Sequence, residues 1–298
     1  MKVDPRHLMA IDIIRDTGGL TRAAEQLGTS QPALSRLVSD LELRLGAPVF
    51  DRANRPWKIT KFGASLAIQG AAIRNAQERA ANEIGLFHLG ATGKLRIAGP
   101  AFFTDGVISR LLPEFHRRHP EISFEITYGY AEDLRAAVRE GRADLAIYPR
   151  GVGDLDGSFE FTFLLEAANQ IVCRQGHPIL KLAYPSPLAL LDYSWVRPPD
   201  GSPLAADMIA VLSAMDMAEA KIVFSGGSLA SVLSFVENSE SLAVLPGKTI
   251  ETIGPLFSVQ AVPVDVETPR RSIGILTRPA QELDFATRTF VEFLVGAF

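Results

Sequence analysis

Cysteine is all but absent from this chain: Cys173 is the only one in 298 residues. A single thiol rules out an internal disulfide and argues against a thiolate metal cluster. It lies in the strand-like run NQIVCRQG, where a buried, inert thiol is expected. Histidine is also scarce. The only grouping among the five is His116 with His119, and that pair ends a helix before Pro120, where cationic residues suit the helix dipole. No metal and no resident cofactor are therefore expected. Apolar runs fall short of the ~18 residues of a membrane span, and the N-terminus lacks a secretory pattern, so the expectation is a cytoplasmic protein with no membrane partner. Signatures of catalysis are missing too: no Gly-x-Ser-x-Gly elbow, no phosphate-binding loop and no HExxH. The acids Glu132 and Asp133 open a helix and suit its dipole, so an enzyme is not expected.

Positive charge is in short supply overall, with a net charge of −4, but it is unevenly spread. Residues 1–90 carry 12 Lys and Arg against 9 Asp and Glu, and residues 91–298 carry 18 against 25. Only the N-terminal part has the sign that suits nucleic acid. Within it, Leu20 to Gly46 reads LTRAAEQLGTSQPALSRLVSDLELRLG. Thr21 is the expected N-cap of a first short helix, and Gly28 stops that helix. Ser30 is the expected N-cap of a second helix, with Pro32 in its first turn. Leu34, Leu37, Val38, Leu41 and Leu45 then recur at three and four residues, which commits one face to a core. Gln31, Pro32, Ser35, Arg36, Ser39 and Asp40 remain outward. Gln and Arg bond base edges bidentately, Ser bonds base or phosphate, and a helix start offers N–H groups to phosphate. The same spacing also fits an ordinary helical hairpin with a solvated face. The following run PVFDRANRPWKIT favours the DNA reading, because it suits a small basic wing carrying Arg52, Arg55 and Lys58.

The run from Arg6 to Thr60, with its TRAAEQLGTSQPALSR core and the LGAPVFDR that follows, closely resembles the winged helix-turn-helix of the LysR-type transcriptional regulators. The resemblance implies DNA contacts at Gln31, Pro32, Ser35 and Arg36 and wing contacts at Arg52 and Arg55. At the wing tip, Arg55-Pro56-Trp57-Lys58 stands where the family more often has an arginine- and glycine-rich tip. Together with Thr21 and Ser30 at the helix starts and Lys58 on the wing, these are the candidate DNA-contacting residues. The remaining chain resembles the family's effector domain in pattern and length. The resemblance further implies double-stranded promoter DNA and RNA polymerase as partners, and assembly as a homotetramer, a dimer of dimers, in a bacterial cell.

The expected organisation is α/β overall: a mainly α winged helix-turn-helix over 1–61, a linker helix over 62–90 and an effector domain over 91–298. The linker has a narrow seam of Phe62, Leu66, Gln69, Ile73, Ala76, Ala80, Ile84 and Phe87. That seam suits packing on the protein's own core or, as in the resembled family, pairing of two subunits. Ala91-Thr92-Gly93 is read as a hinge. From Lys94 short strands and helices alternate, which predicts βαβ units. Two lobes are expected, about 91–163 with 269–298 and about 164–268, with hinges near 160–170 and 263–273. This matches the type 2 periplasmic-binding-protein-like domain of the resembled family.

In open α/β sheets ligands sit beyond the carboxyl ends of strands, between lobes. That rule selects Ala101, Phe102, Thr104, Tyr130, Tyr148, Ser202, Phe224, Ser225 and Gly226 as candidate effector contacts. Thr104, Asp105, Ser202 and Ser228 are equally what helix N-termini contain as plain caps. The expected function is a sequence-specific regulator whose two-lobed domain binds a small-molecule co-inducer and changes oligomer and DNA geometry. The alternative is a constitutive DNA binder whose C-terminal domain only assembles subunits.

Overall fold

The computed structural model describes residues 3–52, 57–89, 93–150, 157–217, 220–279 and 283–298, with backbone only for Arg79 and for 82–89. The chain divides into two compact units, the first built mainly from residues 1–92 and the second mainly from 93–298.

The first unit opens with α1 (Pro5–Thr17), capped by Asp4, whose carboxylate accepts from the Arg6 N–H. α2 (Leu20–Gln26) begins two residues earlier than the sequence suggests. Gly19, not Thr21, occupies the N-cap position, and no side chain caps this helix. Gly28 then takes φ +62°, the left-handed turn that glycine adopts without a Cβ clash. α3 (Gln31–Leu45) starts at Ser30, whose hydroxyl accepts from the Ala33 N–H, and holds Pro32 in its first turn. Leu34, Val38 and Leu41 are fully buried, and Leu37 and Leu45 pack against the same core at its edge.

A two-stranded wing follows, β1 (Phe50–Asp51) antiparallel to β2 (Lys58–Ile59). Its base is held by Glu42 of α3. One carboxylate oxygen accepts from the N–H groups of Val49 and Phe50 at 2.8 and 3.0 Å, and the other pairs with Arg52. α4 (Lys61–Leu89) then runs back along α1. The close face is made of small residues: a Cβ on Gly70 would lie 2.0 Å from the Leu8 carbonyl oxygen. Across the same contact, buried Asp12 of α1 is bonded by Arg74 of α4 at 2.9 Å and by Arg15 at 2.6 Å. Burial pushes the Asp12 carboxyl above its usual range, against the pull of Arg74.

The second unit has one sheet with the order β4-β3-β5-β11-β6-β9-β7-β8 and β10 beside β6. β3 (Lys94–Gly99) is parallel to both β4 (Ser123–Tyr128) and β5 (Leu145–Arg150), as the alternating pattern predicts. β11 (Arg270–Thr277) enters antiparallel and pairs with β5 on one side and β6 (Glu160–Arg174) on the other. β6 is a single 15-residue strand through the first expected hinge. Its first half belongs to lobe I, and its second half pairs with β9 (Leu242–Pro246) and β10 (Val259–Ala261) of lobe II. β7 (Trp195–Arg197) and β8 (Ile222–Ser225) complete lobe II.

Lobe I is covered on one face by α6 (Ser109–Arg118) and α11 (Phe285–Ala297), and on the other by α7 (Ala131–Arg139). The helical stretch into α6 begins as α5 (Ala101–Phe103) and passes through a π-helical turn at Thr104–Ile108. Lobe II packs α8 (Pro203–Ala214) and α9 (Leu229–Glu237) on its strands. SPLALLDY forms only a 3-10 turn over Pro187–Leu190. α10 (Gly247–Ile253) was not foreseen, because GKTIETI is too short to show a helical period.

Two substitutions test how the first unit is held. Gly70→Ala forces backbone apart between α1 and α4 and should lower unfolding free energy by about 1–3 kcal/mol. An unchanged denaturation midpoint in the full-length protein would contradict that packing. Glu42→Ala strips two buried N–H groups of their acceptor and should cost about 2 kcal/mol, with Glu42→Gln recovering part of the loss. Equal midpoints for Glu42→Ala and the unaltered protein would show that the wing is held otherwise.

Candidate functional site

Gln31, Pro32 and Arg36 share the exposed face of α3 opposite its buried leucines, with Ser35 half-buried beside them. Among the described residues Arg36 makes only a long 3.4 Å bond, to the Pro32 carbonyl, from an exposed position. Ser30 caps α3, and Thr21 lies exposed in the first turn of α2. Lys58 is exposed on β2. Arg55 lies outside the described residues, as does most of the wing tip. Arg52 is engaged within the fold: it pairs with Glu42, bonds the Ser39 hydroxyl at 3.0 Å and lies 4.7 Å from the Trp57 ring centre. A guanidinium fixed on three sides holds the wing against α3.

In the second unit a cleft partly open to solvent lies between the lobes at the carboxyl ends of β3 and β5. Its wall is mainly apolar, with Pro100, Phe102, Phe103, Tyr130 and Pro149 from lobe I and Pro203, Leu204 and Pro246 from lobe II. Of the nine sequence-selected residues, Ala101, Phe102, Tyr130 and Ser202 come together here. Ser202 caps α8: its hydroxyl donates to the Pro199 carbonyl at 2.7 Å and accepts from the Ala205 N–H at 3.1 Å.

The other five lie away from the cleft wall. Thr104 is fully buried on the π-helical turn, and its hydroxyl has no partner among the described residues. Tyr148 is fully buried, with Arg135 donating to its hydroxyl. Phe224 stacks on Phe235, with ring centres 5.1 Å apart. Ser225 accepts from the Arg197 side chain at 3.2 Å, and the Gly226 N–H donates to the Arg197 carbonyl at 2.9 Å. Asp105 is not a cap either; it accepts from the Tyr128 hydroxyl at 2.7 Å, which pushes the phenol up to about 12.

Three polar residues of the cleft escaped the sequence reading. Asp207 projects from α8 and is buried, its two oxygens bonded by Arg271 of β11 at 2.6 and 3.0 Å. Asn169 of β6 donates to it at 2.8 Å. A buried carboxylate without partners is unfavourable by several kcal/mol, so this acid ties a lobe II helix to both crossover strands. The signal was present: Asp207 is the one charged residue in the otherwise apolar PLAADMIAVLSA. Phe102 adds a second tie between lobes. Its ring joins the lobe II core, and its carbonyl accepts from the buried Thr249 hydroxyl at 3.2 Å.

Cys173 is buried in β6, and desolvation pushes its thiol up to about 12, which removes the thiolate that redox chemistry needs. Among the described residues no cluster of His, Cys, Asp or Glu is placed to hold a metal ion. No helix among them is long and apolar enough to cross a membrane.

Comparisons with known proteins agree with this layout. Residues 5–64 match the model of the bacterial regulatory helix-turn-helix protein, lysR family, and residues 88–298 match the LysR substrate binding domain. Among curated relatives, the HTH-type transcriptional regulator GbpR of Azospirillum brasilense is 27% identical over 294 residues, covering 98% of this chain and 86% of its own. The transcriptional dual regulator GltC of Bacillus subtilis is 25% identical, covering 89% and 88%. These relatives are regulators, not enzymes. Among solved structures, a full-length OxyR variant from Pseudomonas aeruginosa has a TM-score of 0.66 at 20% identity, covering 100% of this chain and 95% of its own. Full-length CbnR complexed with its target DNA has 0.65 at 16%, covering 99% and 100%. With a helix-turn-helix head and a two-lobed effector-binding domain that each match the family's models, the chain belongs to the LysR family of DNA-binding transcriptional regulators.

Proposed function

We propose that the protein reads promoter DNA with the exposed face of α3 and answers to a small molecule held in the cleft between the lobes. The observation that carries this reading is the cleft itself, a mainly apolar concavity with a few convergent polar groups, which is how ligand sites are built. On the DNA side, Gln31, Ser35 and Arg36 enter the major groove. Thr21, Ser30 and Pro32 lie at the helix starts near phosphate, and Lys58 with Arg55 serves the wing. Arg52 acts by positioning the wing. In the cleft, Ala101, Phe102 and Tyr130 form the ligand wall, joined by the Asp207 group.

A ligand shifts the equilibrium between lobe arrangements only as far as it prefers one of them. Phe102 and the Asp207 group touch both lobes and the cleft, so they are where such a preference arises. The shift reaches the DNA through pairing of subunits. The sequence seam on α4 supports pairing. The helix buries Gly63, Ala67, Gly70 and Ala71 against its own unit, while Phe62 stays 42% exposed and Ala76 and Ala80 are exposed. The dimer then joins a second to form a tetramer in the bacterial cytoplasm, and the assembly meets RNA polymerase at the promoter.

Two experiments test this. Duplexes selected from random sequence by the full-length protein define its site. On that site Arg36→Ala should weaken binding by about 1–3 kcal/mol and relax specificity at one position. Unchanged affinity and specificity would remove α3 from the groove. Ile73→Lys should reduce the sedimentation mass of the full-length protein if the seam pairs subunits, whereas an unchanged mass would refute that pairing.

A further inference from the structure

We infer that the cleft selects an uncharged, largely apolar small molecule with one hydrogen-bonding end, and that Asp207 is the residue that turns away organic anions. The inference rests on the cleft being the ligand site. Arg271 by itself would advertise a carboxylate ligand, since a guanidinium bonds a carboxylate through two parallel N–H groups. Here that fork is already closed on Asp207, Nε to one oxygen at 3.0 Å and Nη2 to the other at 2.6 Å. Arg271 and Asp207 are the only cation and the only acid among the described residues that line the cleft, so the charge of the wall is balanced.

An incoming anion therefore meets attraction from Arg271 and repulsion from Asp207 at nearly the same distance, and the two largely cancel. Side-chain donors that could replace its lost hydration are few among the described wall residues. The Ser202 hydroxyl is engaged in its own turn, Asn169 donates to Asp207, and most of the remaining wall is proline, aromatic or aliphatic. An ammonium meets the same balance with the signs reversed. A neutral ring or short chain loses little on entering such a wall, and one carbonyl or hydroxyl oxygen on it needs only a single donor, which Tyr130 of the wall carries. The buried position of Asp207, held by three hydrogen bonds, keeps this balance from being relaxed by solvent.

The test uses the full-length protein and matched amide, acid and amine derivatives of phenyl, cyclohexyl and n-butyl frames, with dissociation constants taken from melting temperature against probe concentration. The amides are expected to bind the unaltered protein best, and Ala101→Trp, which fills the cleft, should abolish their effect. In Asp207→Asn the acids should gain about tenfold or more relative to the amides, because the acid that the Arg271 fork is closed on is then removed while the Arg271 charge stays. Asp207→Asn combined with Arg271→Gln restores neutrality and should restore the amide preference; it also separates charge from a folding defect in the single variant. Acids or amines binding the unaltered protein best would overturn the inference while leaving the cleft as the ligand site. An acid-to-amide ratio that Asp207→Asn does not move would do the same. Probes that stabilise Ala101→Trp as much as the unaltered protein, or stabilise neither, would overturn the cleft reading and the inference with it.

Discussion

A carboxylate placed in an apolar helix has to find partners, and much of the effector domain is arranged around that requirement. Asp207 is carried into the interior by α8 because its neighbours Leu204, Met208 and Val211 are core residues. Once there, it is held by Arg271 and Asn169, which belong to the two strands that pass between the lobes. One helix of lobe II is thereby fixed to both crossovers by charge-assisted bonds to a buried carboxylate. The position of the cleft, its polar floor and its charge balance all follow from that pairing.

The lobes are tied differently from two plates on flexible hinges. β6 runs unbroken through the first expected hinge and shares its length between them, with a ladder to β11 in its first half and to β9 and β10 in its second. Phe102 reaches from lobe I into the lobe II core, with Thr249 bonded to its carbonyl. Motion between lobes must repack these contacts. Under the proposed function, a ligand against Phe102 or the Asp207 group would bias the domain between discrete packings.

The DNA-reading head shows how a charge chosen from sequence divides into two roles. Arg36 and Arg52 look alike as basic residues near a helix-turn-helix. The first lies on an exposed helical face, and the second is fixed by Glu42, Ser39 and the Trp57 ring. Spacing located both, but only the partners separate a side chain on an exposed helical face from one that holds the wing in place.

What the sequence determined by itself is whatever depends on near neighbours in the chain. Apolar residues three and four apart wrote α3, glycine at 28 ended α2, and alternating short strands and helices wrote the βαβ half of lobe I. The helix-turn-helix head and the family were legible for the same reason. The tertiary structure alone decided what depends on residues far apart. The antiparallel entry of β11 and the short helix α10 were settled by packing and long-range hydrogen bonding. So was the membership of the cleft, where five of nine chosen residues turned out buried or engaged elsewhere and three unforeseen polar residues took the floor. Asp207 and Arg271 are 64 residues apart. No local pattern relates them, and their attraction exists only once burial has brought both out of water to one place.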